Sequence, residues 1–232
     1  METMWLRVRA PFAAFRGFQA GVYRATSPVM PPSTAYGLIL NLAGIEMRGP
    51  MTGVTTEIRD GLPRLRLAVG AISSPERSTI YQQLHSYPVG NDDRVKKFRA
   101  FTKGQKFWLI PVRREILVGY DGMIGVQVEE NEIFERVRKG LRGETSSPRY
   151  GLPFAGDNNL LIDRIDSLAE PPVTTRWYTL VQPNDPPRKG SCRLTVGINR
   201  IDNSRTTSFL YAPLAEGMSL PPESAWTWTP TG

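Results

Sequence analysis

An α+β domain built around an antiparallel sheet is the fold class this sequence predicts, and three observations predict it. Period-two strand patterns open the chain and recur through its middle, and two helix-period segments interrupt them near residues 31–44 and 131–142. Across 232 residues, 20 prolines and 21 glycines keep strands short and loops numerous. Strand, helix, strand, further hairpins, a helix and more strands is the element order of an α+β domain.

Each element follows from local pattern. Trp5-Leu6-Arg7-Val8-Arg9-Ala10 alternates apolar with basic residues, which buries one strand face and presents Arg7 and Arg9 on the other. Phe12, Phe15 and Phe18 follow in a loop that also holds Arg16. Pro31-Pro32-Ser33-Thr34 then places two prolines and a hydroxyl cap ahead of the stripe Leu38, Leu42 and Ile45, a helix that should end near Gly44. Gly37 inside it costs about 1 kcal/mol against Ala, so it points to close approach by a strand or a ligand backbone. Free amides at such an N-terminus suit a phosphate.

Leu65, Leu67, Val69 and Ala71 share one face of a strand over 64–72, and 79–89 is a second extended piece. Residues 107–128 read as two strands turning at Tyr120-Asp121-Gly122, an Asp-Gly hairpin signal. Ile133, Phe134, Val137 and Leu141 form the apolar face of a helix over 131–142, closed by Gly143. A loop covers 144–159, and strands are expected at 173–181, 193–196 and 208–214. Trp226 and Trp228 close the chain, either as exposed anchors for a partner or as a disordered tail.

Arg94 to Arg114 contains eight Lys or Arg residues, no Asp or Glu, and Phe98, Phe101, Phe107 and Trp108 threaded among them. Cations that neutralise phosphates, interleaved with rings that accept unstacked bases, suit a single-stranded nucleic acid. The competing reading is a solvated basic hairpin whose aromatics belong to the core. The net charge of +7 favours a polyanionic partner, nucleic acid ahead of membrane. The longest apolar run, 35–45, is broken by Gly37, Asn41 and Gly44 and is too short to span a bilayer, and no secretory signal fits residues 1–20. A single cysteine, Cys192, leaves no internal disulfide framework and suits a reducing cytoplasmic setting; with the single His85 it offers no zinc cluster. No metal and no cofactor are expected.

Three blocks then resemble a known family. Leu6-Arg7-Val8-Arg9-Ala10-Pro11-Phe12-Ala13-Ala14-Phe15-Arg16, Pro31-Pro32-Ser33-Thr34-Ala35-Tyr36-Gly37-Leu38 and Pro111-Val112-Arg113-Arg114-Glu115-Ile116-Leu117 resemble, in order and spacing, the Cas-five family of CRISPR-associated RAMP proteins. The resemblance covers roughly the first 120 residues; the loop Tyr150-Gly151-Leu152-Pro153-Phe154-Ala155-Gly156-Asp157-Asn158-Asn159 fits the family's Gly-containing loop only loosely. Within the family the spelling is most similar to the branch of the Myxococcus-type developmental operon systems.

That resemblance implies a ferredoxin-like, RRM-related RAMP domain over 1–130, with a projecting basic hairpin or thumb at about 80–115. Residues 131–232 would be a reduced C-terminal portion packed on the same domain. It implies an RNA-binding structural subunit of a type I Cascade complex in antiviral defence, which holds the 5′ handle of the crRNA and caps a backbone of Cas-seven subunits. A Cas-eight-type large subunit would be its neighbour, and target DNA would be reached indirectly. The candidate RNA-binding residues are Arg7, Arg9, Phe12, Phe15, Arg16, Arg24, Ser33, Thr34, Tyr36, Lys96, Lys97, Arg99, Lys103, Lys106 and Arg149. Ser33, Thr34 and Tyr36 serve equally as cap and core, and Phe12 and Phe15 as core.

The alternative is a metal-independent endoribonuclease that processes pre-crRNA, since some family members cleave it. Such chemistry needs a base for the 2′-hydroxyl and an acid for the leaving oxygen. Here Ser27 stands where the processing branch carries a tyrosine, no Lys-His pair exists, and His85 and Tyr23 are the remaining candidates. Asp92 with Asp93 and Asp163 with Asp166 do not form a two-metal cluster. The expectation is a non-catalytic protein.

Overall fold

The computed structural model describes residues 2–17, 22–50, 56–88, 107–129, 132–145, 151–186 and 188–230. Among them, ten strands form one sheet whose spine is β1 (Thr3–Ala13) against β5 (Phe107–Gln127), with β2 (Tyr23–Arg24), β3 (Leu65–Ala71) and β4 (Glu76–Pro88) built around it. β1 and β5 run antiparallel, from Thr3 opposite Gln127 to Ala13 opposite Leu117. β6 (Arg164–Leu168) flanks β1. On the far side of β5 lie β3, β7 (Arg176–Leu180), β9 (Thr207–Pro213) and, at the edge, β8 (Cys192–Gly197). The short β10 (Thr227–Thr229) shares an edge of β3 with β7.

β5 is 21 residues long because its two halves have different partners. Its C-terminal half sits between β1 and β3, whereas its N-terminal half pairs with β4 from Phe107 opposite Pro88 to Val118 opposite Glu76. Residues 76–81 of β4 are all exposed, as expected of a two-stranded ribbon leaving the body of the sheet. β2 runs parallel to β5 at the foot of this arm, with Tyr23 opposite Arg113 and Arg24 opposite Arg114.

Two helices cover one face. α1 (Pro32–Leu42) is apolar nearly all round, so it is buried on β3, β8 and β10. α2 (Glu132–Arg142) is amphipathic; it buries Ile133, Phe134 and Val137 against α1 and keeps its charges outside. Both end as their glycines foretell: Gly44 and Gly143 take φ of 66° and 76°, and the next amide in each case reaches back five residues, Ile45 to Leu40 and Glu144 to Lys139. Arg136 of α2 donates to the carbonyls of Ala43 and Gly44, placing a cation on the negative end of α1.

The opposite face carries a smaller core of tryptophans. Trp5 lies 5.8 Å from Trp177 and 6.0 Å from Trp226, over Ala68 and Met123. Glycines make the room: a Cβ on Gly125 would stand 2.6 Å from Trp5 and 2.9 Å from Trp226, and one on Gly70 would stand 2.9 Å from Trp177.

Several sequence expectations give way. Tyr120-Asp121-Gly122 is no turn: β5 runs straight through it, because Gly122 leaves space for the Tyr120 ring and Asp121 pairs with Arg7 across the sheet. The tail is neither exposed nor disordered, since Trp226 is buried and Thr227 and Thr229 pair with β3. β6, on which Asp166 pairs with Arg9 and Arg164, is a strand the pattern did not predict. Gly37 meets only the Met47 sulfur at 3.7 Å, with no strand backbone close by.

Candidate nucleic-acid interface

The sequence-predicted site residues fall into separate groups. Arg7 and Arg9 lie on the tryptophan face of β1 and are engaged: Arg7 donates to both Asp121 oxygens at 2.9 and 2.6 Å, and Arg9 to Asp166 at 3.0 Å. Phe15 is 1% exposed and packs edge-on against Tyr120 with ring centroids 5.0 Å apart, so it has no ring face to offer a base. Ser33, Thr34 and Tyr36 sit beside an apolar hollow with Met47 and Ile198. Tyr36 donates to the Pro63 carbonyl at 2.9 Å, and burial raises its pKa to about 12. Lys96, Lys97, Arg99, Lys103, Lys106 and Arg149 lie outside the described residues.

Phe12, Arg16 and Arg24 are brought together with other residues at the foot of the β4–β5 arm. Phe12, where β1 outruns the helix layer, is 45% exposed. β2 carries Arg24 and exposed Tyr23 alongside Arg113 and Arg114, and a bridge between Arg16 and Thr26 brings Arg16 to the same place. Local hydrogen bonds fix this loop. Phe15 N–H donates to Thr26 Oγ1, Ser27 N–H to the Phe15 carbonyl, and Thr26 N–H to Glu115 Oε2 of β5, at 2.8, 2.8 and 2.9 Å.

Arg114 is the buried member of the cluster. Its side chain is 7% exposed, pairs with Asp157, and donates to Gln82 Oε1 of β4 at 3.4 Å, while Nη2 has no partner. Asp157 is delivered by a loop that hooks on β1: Ala14 N–H donates to the Ala155 carbonyl at 2.9 Å, and Gly156, at φ 84°, passes so close to Ala14 that a side chain would not fit. Burial pushes the Asp157 carboxyl up, but the Asn159 amide and the Arg114 guanidinium outweigh it, and the net direction is down.

The charge balance favours an anion. Arg16, Arg24 and Arg113 have no carboxylate in ion-pair range among the described residues. Burial, then Arg24, then Arg114 all lower the Arg16 pKa, with Asp157 the opposing influence. Guanidiniums that destabilise one another in this way are relieved by a bound anion, and planar forks suit phosphate. On the other side of β5 an exposed ring stands with a cation: Arg113 lies 5.8 Å over Tyr81, which is 72% exposed. Sequence reasoning placed Arg113 in the basic segment without singling it out and missed Tyr81; no local pattern signals either, because pairing of β2, β4 and β5 assembles them. No group of three His, Cys, Asp or Glu residues that could hold a metal occurs among the described residues. His85 lies on β4 opposite Leu109.

No curated protein sequence matches the chain. Solved structures share its fold, two of them as follows. One, titled "CRISPR RNA-guided surveillance complex", aligns over 94% of this chain and 91% of its own at TM-score 0.60 and 14% identity. The other, titled "Crystal structure of Cas protein", aligns over 95% and 100% at TM-score 0.50 and 13% identity. A family model described as "CRISPR-associated protein (Cas_Cas5)" matches residues 3–142, which include both helices, the spine of the sheet and the arginine cluster. By that match the chain belongs to the Cas5 family of CRISPR-associated proteins.

Proposed function

We propose that this chain is a non-catalytic, RNA-binding subunit of a Cascade-type surveillance complex, and that it holds the 5′ handle of the crRNA at the foot of the β4–β5 arm. The observation that carries the reading is a foot of the arm that sets Arg16 beside Arg24 and Arg114 on one side and Arg113 with exposed Tyr23 and Tyr81 on the other, Arg16, Arg24 and Arg113 having no carboxylate in ion-pair range among the described residues. Cations on a rigid sheet grip the backbone, and the rings accept unstacked bases. Family membership and a fold shared with a chain of an RNA-guided complex support the same assignment. The arm leads into residues 89–106, whose six cations would extend the grip as a thumb of a ferredoxin-like RAMP domain. Cas-seven-type backbone subunits and a large subunit are the partners this role requires.

Coexpression with the neighbouring CRISPR genes, followed by purification and sequencing of bound nucleic acid, tests the assignment. Single-stranded RNA with a uniform repeat-derived 5′ end, lost when Arg16, Arg24 and Arg113 are all changed to Glu, is the expected result. A complex that assembles and retains the same RNA with the triple variant refutes it.

A further inference from the structure

We propose that the groove between the 25–28 loop and the β7–β9 corner of the sheet is a track that carries the backbone of the same single-stranded RNA onward from the arginine cluster. The inference rests on the RNA-binding reading above and adds a second surface to it. Two hollows of about 530 and 430 Å³ adjoin there and share Pro28, Arg77 and Tyr178. Arg176 lines the first and Arg193 the second, with Arg77 at the waist, and no Asp or Glu lines either.

Glu115 accepts from Arg77 at 3.2 Å and steadies it from below, while the Arg77 side chain remains half exposed toward the groove. Ser27, Ser74, Thr195 and Ser208 line the walls between the cations and bring hydroxyls that suit phosphate oxygens. The second hollow opens at Gly17, the residue after Arg16, so the track begins where the arginine cluster ends. Three arginines and several hydroxyls, with no Asp or Glu lining the groove among the described residues, suit the phosphates of a single strand, and the apolar lining residues Ile72, Leu117 and Tyr178 suit its sugars and bases. The far wall, from Thr174 to Pro213, lies beyond the 3–142 segment that matches the family, so family membership does not account for it.

Cys192, the single cysteine of the chain, lines the second hollow and reports on its occupancy. Burial raises its pKa to about 11, so alkylation by a small maleimide is slow and is followed at mildly alkaline pH. The full chain, alone and saturated with a single-stranded repeat RNA, is alkylated over time, and the affinity is measured across a salt series. Expected is slower alkylation of the RNA-bound protein. That protection is lost in Arg176→Gln/Arg193→Gln, which still binds RNA with a salt slope reduced by roughly 0.7 for each phosphate contact removed. RNA binding with unchanged Cys192 alkylation overturns the track and leaves the handle-binding site standing. Protection that persists in the double variant also overturns it, since the shielding is then indirect, as does protection by a purified partner subunit but not by RNA. Failure of the wild-type chain to bind RNA at all overturns both.

Discussion

Arg114 and Gly125 show how single residues decide this structure. Arg114 is buried with one nitrogen unpartnered, and Asp157 supplies its countercharge. Because the Asp157 carboxyl sits below its ordinary value of 3.8, the stability it contributes is complete above that value and is lost as pH falls through the lower folded value. Urea midpoints measured from neutral to acid pH should therefore fall less steeply for Asp157→Asn, on the acid side of 3.8, than for the unmodified protein. A Gly125→Ala change drives a Cβ into Trp5 and Trp226 and should cost about 1–3 kcal/mol, read by urea denaturation with tryptophan fluorescence. At the chemical level, His85→Ala and Tyr23→Phe should leave crRNA maturation unchanged. A true acid or base contributes on the order of 10²- to 10⁴-fold, so specific cleavage of repeat RNA in EDTA, lost on either change, would promote the ribonuclease reading.

Elements whose signals are local were legible in the sequence, and those built by tertiary pairing were not. The alternation of Leu6, Val8 and Ala10, the proline start of α1 and the glycine ends of both helices carried through, but the hydroxyl cap did not: Pro31 is the N-cap of α1 and no side chain caps it. The Asp-Gly pair inside β5 misled because a glycine that frees a turn and a glycine that makes room for a tyrosine read alike; only Tyr120 beside Gly122 tells them apart. β10 escaped because two tryptophans spaced by one residue near a terminus carry no sign of what covers them. In the structure Trp226 is 9% exposed and packs at a tilt against Trp5, with Arg66 5.6 Å over its ring. Trp226→Ala should cost about 3–5 kcal/mol in chemical denaturation, as deletion of a buried aromatic does, whereas a dispensable tail would show no change.

At the scale of the whole molecule, the sheet sorts its arginines by face. On the tryptophan side Arg7, Arg9, Arg66 and Arg164 meet carboxylates and serve stability. At the foot of the arm Arg16, Arg24 and Arg113 meet none among the described residues, and six more of the chain's cations fall within the sequence 89–106. The composition made a polyanionic partner legible, but which cations are spent on internal pairs emerges only from strand register. The measurement that tests this account most directly is the salt dependence of binding to a fluorescent single-stranded repeat RNA, for the unmodified chain and for Arg16→Glu/Arg24→Glu. Four phosphate contacts on a single strand predict a log-log slope of roughly −3, flattening by roughly 1.4 in the double variant with a marked loss of affinity. Binding that ignores salt, or a double variant with unaltered slope and affinity, would contradict it.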